Sequence, residues 1–152
     1  MIREIRREEL QGLLALYTQL HHNPMPACTP ELEALWEKIL RDENHHIIVA
    51  EEEGKILSSC VCVILPNLTH GQRPYALVEN VVTDSAFRGR GLATACLDYA
   101  RKLADRERCY KIMLLTGSRE ERTLSFYRRA VYKSQDKTSF IRWLEQEKEE
   151  TL

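Results

Sequence analysis

A chain of 152 residues with 43% hydrophobic content is long enough for one domain with a substantial core and too short for two full ones. Its 22 Lys and Arg nearly balance 23 Asp and Glu, and a net charge of -1 gives no electrostatic footprint for a nucleic-acid binder or a general membrane-surface protein. High apolar content with so little net charge also excludes a disordered chain. Met1 to Ile5 reads as a short strand, and its neighbours Arg3, Arg6, Arg7, Glu8 and Glu9 exclude a secretory leader. Glu8 to Leu20 repeats Leu10, Leu13, Leu14, Leu16, Tyr17 and Leu20 at helical spacing. His21 to Pro30 holds Pro24, Pro26 and Pro30 and must be a loop; Thr29-Pro30 then predicts an N-cap followed by proline in the first helical turn. Leu32, Leu35, Trp36, Ile39 and Leu40 form one face of a second helix ending near Asp42.

The period then changes. His46 to Glu51 and Lys55 to Leu65 predict two strands joined at Glu53-Gly54, and Tyr75 to Thr83 a third strand after the polar loop Asn67 to Pro74. Ala86 to Arg108 predicts the longest helix, with Leu92, Cys96, Leu97, Ala100 and Leu103 on one side. Ile112 to Leu115 follows as a strand, Leu124 to Tyr127 as a shorter helix, Ser139 to Leu144 as a last strand, and residues 145–152 as a solvated tail. This order gives a mixed α/β sheet with helices on its faces, expected as a single domain over residues 1–152.

The five cysteines, Cys28, Cys60, Cys62, Cys96 and Cys109, are an odd set without framework spacing, which reads as reduced thiols in a cytoplasmic protein. No metal is expected, since Cys60-Val61-Cys62 is not a zinc-ligand pair and the adjacent histidines His21-His22 and His45-His46 do not share a face. No apolar run reaches the ~20 residues that span a bilayer, so no membrane partner is expected either.

The informative stretch runs from Val78 to Thr94. A strand enters a turn, then a loop with Gly89 and Gly91, then a long helix. The first amides of such a helix lack intrahelical partners and attract anions, and several together hold a pyrophosphate. Arg88 and Arg90 add charge beside them. Glu79 lies inside an apolar strand, where an unpaired carboxylate is costly. It either meets an arginine or water at a sheet edge, or serves as a general base. Strict alternation puts Glu79 and Asn80 on opposite faces, so that only one of them faces a site.

Arg88-Gly89-Arg90-Gly91-Leu92-Ala93 matches the (Q/R)-x-x-G-x-(G/A) signature, and the chain is thereby similar to the GNAT N-acetyltransferase superfamily. Val78-Glu79-Asn80-Val81-Val82 and Cys109-Tyr110-Lys111-Ile112 resemble strands of the glucosamine-6-phosphate N-acetyltransferases in that family. Ser125 to Tyr132 resembles the family's F-Y-x-x-x-G-F segment, with Val131 in place of the glycine. Asn80 stands where the sugar enzymes usually carry Asp.

The resemblance implies a mostly antiparallel sheet with flanking helices. It also implies acetyl-CoA as cosubstrate and direct attack of a primary amine of a small molecule on the thioester. Under it Val81 and Val82 hold the acetyl carbonyl and the pantetheine amides, and Arg88, Gly89, Arg90, Gly91, Leu92, Ala93 and Thr94 take the pyrophosphate. Tyr127 contacts the cosubstrate and protonates the departing thiolate, and Glu79 deprotonates the incoming ammonium. The first two helices and the His21–Pro30 loop would form the acceptor site. A terminal strand of Ser139 to Leu144 at a sheet edge invites association, so a homodimer is expected. The alternative is a catalytically silent acyl-CoA-binding module, for which the Tyr127 hydroxyl would have no use.

Overall fold

The computed structural model describes residues 1–21 and 23–144. They belong to two compact units, Met1–Leu114 and Leu115–Leu152. The first unit carries strands β1 (Ile2–Glu4), β2 (His45–Glu52), β3 (Lys55–Leu65), β4 (Tyr75–Thr83) and β5 (Ile112–Leu114). Its helices are α1 (Leu10–Tyr17), α2 (Pro30–Arg41) and α3 (Leu92–Arg106). The second unit holds α4 (Glu121–Arg129).

The sheet runs in the order β1-β2-β3-β4-β5. The first four strands pair antiparallel, and β5 pairs parallel to β4 because α3 carries the chain across one face before it returns. The mixed, mostly antiparallel sheet with flanking helices is thus as expected. Central β3 is buried from Ile56 to Cys62, which explains why its sequence is apolar at nearly every position rather than at every second one. One face packs Ile47, Val49, Val61 and Val82 against Leu13 and Leu16 of α1 and Trp36 of α2. α3 buries Cys96, Leu97, Ala100, Leu103 and Ala104, spaced as a single helical stripe.

The caps follow the sequence. Thr29 Oγ1 accepts from Leu32 N at 3.1 Å, and Pro30 opens α2. Trp36 Nε1 donates to the carbonyl of Arg7 at 2.9 Å, anchoring α2 to the turn before α1. That turn is a 3-10 segment, Arg7–Glu9, so the first predicted helix starts later and stops earlier than its apolar period. The longest predicted helix is also interrupted: Ser85–Phe87 is a 3-10 turn, and α3 begins only at Leu92. Gly89 and Gly91 adopt φ of 77° and 76°, a left-handed backbone that no helix continues through.

The predicted last strand does not form. Residues 139–143 have no regular structure, and Phe140 is 93% exposed. A strand exists only through a neighbour that completes its ladder, and apolar residues without one do not make a strand. The tail, residues 145–152, and His22 lie outside the described residues.

Candidate functional site

The end of β4 is irregular in a useful way. Val82 lies opposite Ser59 and Glu79 opposite Val61, so Asn80 and Val81 together face Cys60 across the ladder. This is a β-bulge, and Asn80 within it takes a left-handed φ of 51°. The bulge interrupts the alternation expected from the sequence. Glu79 shares the face of its partner Val61, which packs on the α1 side. Burial pushes the Tyr17 phenol of α1 up to about 12, an effect that Asn80 and Ser59 moderate. Glu79 and Asn80 are both exposed. Water therefore meets the cost of a carboxylate in an apolar strand.

β5 pairs with β4 only from Ala76 to Val78. Beyond that point, Glu79 to Val82 have no strand neighbour on the β5 side within the described sheet. Val82 O accepts from Ser58 Oγ of β3 at 3.0 Å, so the backbone groups open on that side, where a further strand would pair, are those of Val81.

The loop after β4 is held from several directions. Asp84 N donates to Leu57 O at 2.8 Å, and Asp84 Oδ1 accepts from Ala86 N at 3.0 Å. Lys55 Nζ lies 3.0 Å from Asp84 Oδ2, and Ser85 N donates to Gln19 Oε1 at 2.8 Å. The Ala86 amide and then Lys55 hold the Asp84 carboxyl below its ordinary range. None of Asp84, Lys55 and Gln19 was singled out from sequence. Asp84 just before Ser85-Ala86 carried a cap signal that finds it; Lys55 and Gln19 come from other elements and carried none.

From this anchor the chain presents Arg88, Gly89, Arg90 and Gly91, all exposed, to the start of α3. Gly91 is the N-cap and gives no side-chain hydrogen bond, and the first backbone bond of the helix is Ala95 N to Gly91 O at 3.0 Å. The amides of Leu92, Ala93 and Thr94 thus have no backbone acceptor. A Cβ at Gly89 or Gly91 would meet no described atom within 4 Å, so the space before the amides is open. The two arginines differ. Arg90 gives its guanidinium to both oxygens of Glu52 at 2.8 and 3.0 Å and lies 5.6 Å from the centre of the Phe87 ring. Arg88 has only a 3.4 Å bond from Nε to Thr83 O. Arg88 is therefore the cation less committed within the chain, and the charge expected from Arg90 is largely matched by Glu52.

Cys28 is exposed, but the other four thiols are unsuited to act as nucleophiles. Burial keeps Cys60 strongly protonated, pushes Cys62 up to about 12 and Cys96 up to about 11, and also raises Cys109. Among the described residues no group of three metal-ligating side chains gathers, and no helix is long and apolar enough to cross a membrane.

In the second unit, α4 carries Tyr127 on its last turns. The ring packs edge-on against Phe126 at 5.0 Å and Tyr132 at 6.3 Å. The helix ends in a paired cap: Val131 N donates to Arg128 O at 2.9 Å and Tyr132 N to Tyr127 O at 3.0 Å. This is a Schellman motif, whose left-handed position is usually glycine and here is Val131 with φ of 70°.

Residues 9–131 match the model of the acetyltransferase (GNAT) family. The chain belongs to the GNAT acetyltransferase family. A GNAT protein of Oryza sativa subsp. japonica, named as a probable glucosamine 6-phosphate N-acetyltransferase, is 32% identical, with 73% of this chain and 72% of that protein covered. The glucosamine 6-phosphate N-acetyltransferase of Trypanosoma brucei brucei is 30% identical, but the match spans only about half the length of each, 55% of both. A solved protein of Agrobacterium tumefaciens str. C58 that is named as an acetyltransferase has a TM-score of 0.87 and 38% identity, covering 94% of this chain and 99% of that one.

Proposed function

We propose that this GNAT protein transfers an acetyl group from acetyl-CoA to a primary amine of a small molecule. The observation that carries the proposal is the conjunction at one end of β4: a bulged strand without a β5 neighbour leads into an open glycine loop whose helix offers unpartnered amides. An acyl-CoA needs both features, an extended surface for its amide-bearing arm and an anion site for its pyrophosphate. The amides of Leu92, Ala93 and Thr94, with Gly89, Gly91 and Arg88, would hold the pyrophosphate, and Arg90 would contribute only what Glu52 leaves. Val81 would hold the arm through its backbone, beside Val82, whose carbonyl already accepts from Ser58 Oγ. The cosubstrate supplies an acetyl carbonyl already activated as a thioester. Glu79 is the group we assign to take a proton from the incoming ammonium, directly or through water, since it is exposed at the bulge. Tyr127 is assigned the donation of a proton to the thiolate, on its F-Y sequence pattern and on the match of a phenol of pKa ~10 to a thiol of ~8.5. Buried, protonated cysteines favour direct attack over an acyl-cysteine route.

The test is cosubstrate binding by Gly91→Asp. The new carboxylate would repel the pyrophosphate in a backbone conformation that non-glycine residues rarely adopt. Calorimetry should give at least a tenfold weaker Kd for CoA, about 1.4 kcal/mol, in a protein whose circular dichroism is unchanged. Unchanged affinity would overturn the assignment of the loop.

A homodimer is proposed with this function. Phe140, Ile141, Trp143 and Leu144 are exposed, and pairing with a second copy would complete the strand that their sequence favours. Sedimentation equilibrium reads it directly. A mass that stays at 17.7 kDa as concentration rises would exclude the dimer.

A further inference from the structure

The end of β4 away from the bulge carries a cluster that the acetyl-transfer reading does not use. The loop between β3 and β4 closes on itself there. Asn67 Nδ2 donates to Thr69 O at 3.1 Å and to Arg73 O at 3.2 Å, and Gln72 Nε2 donates to Leu68 O at 3.3 Å. In the middle of the loop His70, Gly71 and Gln72 take three successive left-handed φ values of 52°, 69° and 57°. Two of the three are not glycine, and an L-residue keeps that backbone only where its surroundings hold it. The turn presents the His70 imidazole flat against the Tyr110 ring, with centroids 3.9 Å apart and planes 8° from parallel.

The stack is one-sided. Tyr110 covers one face of the imidazole, yet His70 is exposed, so the other face is open to a further ring. Cations adjoin it. Lys111 Nζ lies 5.1 Å from the centre of the Tyr75 ring and 5.4 Å from that of Tyr110. Arg73 donates from Nε to Arg108 O at 3.1 Å and from Nη2 to Cys109 O at 3.2 Å, which pins the loop to the segment leading into β5. These partners are all neutral. Among the described residues none of Arg73, Arg108 and Lys111 forms an ion pair, and the adjacent acid, Glu107, lies 4.0 Å from Arg106 Nε.

An open ring face beside unmatched positive charge is the complement of a planar ring that carries an anion. A net charge of -1 gives the chain no long-range pull on a polyanion, and one open ring face takes one base. We propose that the His70–Tyr110 stack, with Arg73, Arg108 and Lys111, is a second ligand site and that it takes a free nucleotide. The base stacks on the open face of His70, and the phosphate meets the cations. Tyr75, where the cluster meets β4, is about 17 Å along the strand from the bulge at Asn80, so this site is separate from the cosubstrate loop.

The experiment titrates the isotope-labelled full chain with AMP, adenosine and inorganic phosphate in low salt. NMR follows the His70 and Tyr110 ring signals together with the Gly89 and Gly91 amides. AMP should shift both rings in one saturable process. Adenosine and phosphate should each bind there about tenfold more weakly, since each keeps only one of the two kinds of contact. His70→Asn removes the ring but keeps a residue that tolerates left-handed backbone, and it should weaken AMP about tenfold, the scale of one stacked base. Lys111→Met keeps a stem on the tyrosine rings and removes only the charge. It should weaken AMP about threefold, with the difference fading as salt is added, and it serves if His70→Asn does not fold. Shifts confined to Gly89 and Gly91 would mean that the glycine loop alone reads AMP, and they would overturn the proposal. So would adenosine binding as tightly as AMP, or wild-type affinity for AMP in either variant.

Discussion

Val131→Gly should stabilise the second unit. Val131 sits at the left-handed position of the α4 cap with φ of 70°, where its Cβ opposes the following carbonyl. That conformation costs an L-residue roughly 1–2 kcal/mol, and a β-branched side chain stands at the upper end. Val131 is 81% exposed, so removing the side chain sacrifices almost no burial. Glycine adds back about 0.5–1 kcal/mol of chain entropy in the unfolded state. The balance is a gain of about 1 kcal/mol, because both hydrogen bonds of the cap come from the backbone and survive the change. Native-state hydrogen exchange at the amides of Val131 and Tyr132 reads the cap directly and should slow about fivefold. Val131→Ala should gain less, since it relieves the branching but keeps a Cβ at positive φ. If Val131→Gly is neutral or destabilising, the strain assigned to this cap is absent and the valine serves some contact instead.

Glu52→Ala should release Arg90 and tighten CoA binding about threefold at low ionic strength, the scale of a half-exposed ion pair, with the gain fading as salt is added. Unchanged affinity in low salt would mean that Arg90 does not act on the phosphates. Tyr127→Phe should retain CoA binding and lose 10²–10⁴-fold in turnover on an accepted amine, the usual worth of a general acid. A loss below threefold with chemistry rate-limiting would assign Tyr127 to packing and favour the silent binding module. Asp84 has a folded pKa below its unfolded value of about 3.9, held down by the Ala86 amide and then Lys55. Its stabilising contribution is therefore complete above about pH 4 and is lost as pH falls through the lower folded value. Asp84→Asn should be less stable than the wild type in urea at pH 7, with the gap closing in acid; a constant gap would place the effect elsewhere.

Periodicity and turn chemistry read most elements directly. The Thr29-Pro30 start of α2, both strands around Glu53-Gly54 and the span of β4 depend on local steric preferences, which a sequence carries residue by residue. The glycine loop before α3 was legible from Gly89 and Gly91 at the junction of strand and helix, and the structure adds that both take a left-handed backbone. Tertiary structure decided the rest. The bulge at Asn80 and Val81 arises from the pairing of β4 with β3, and alternation along one strand alone gives no sign of it. Glu52 matches Arg90 across 38 positions of sequence, so the charge of the loop could not be read from the loop. Ser139 to Leu144 has strand composition without forming a strand, because a ladder belongs to two strands and a sequence names only one of them.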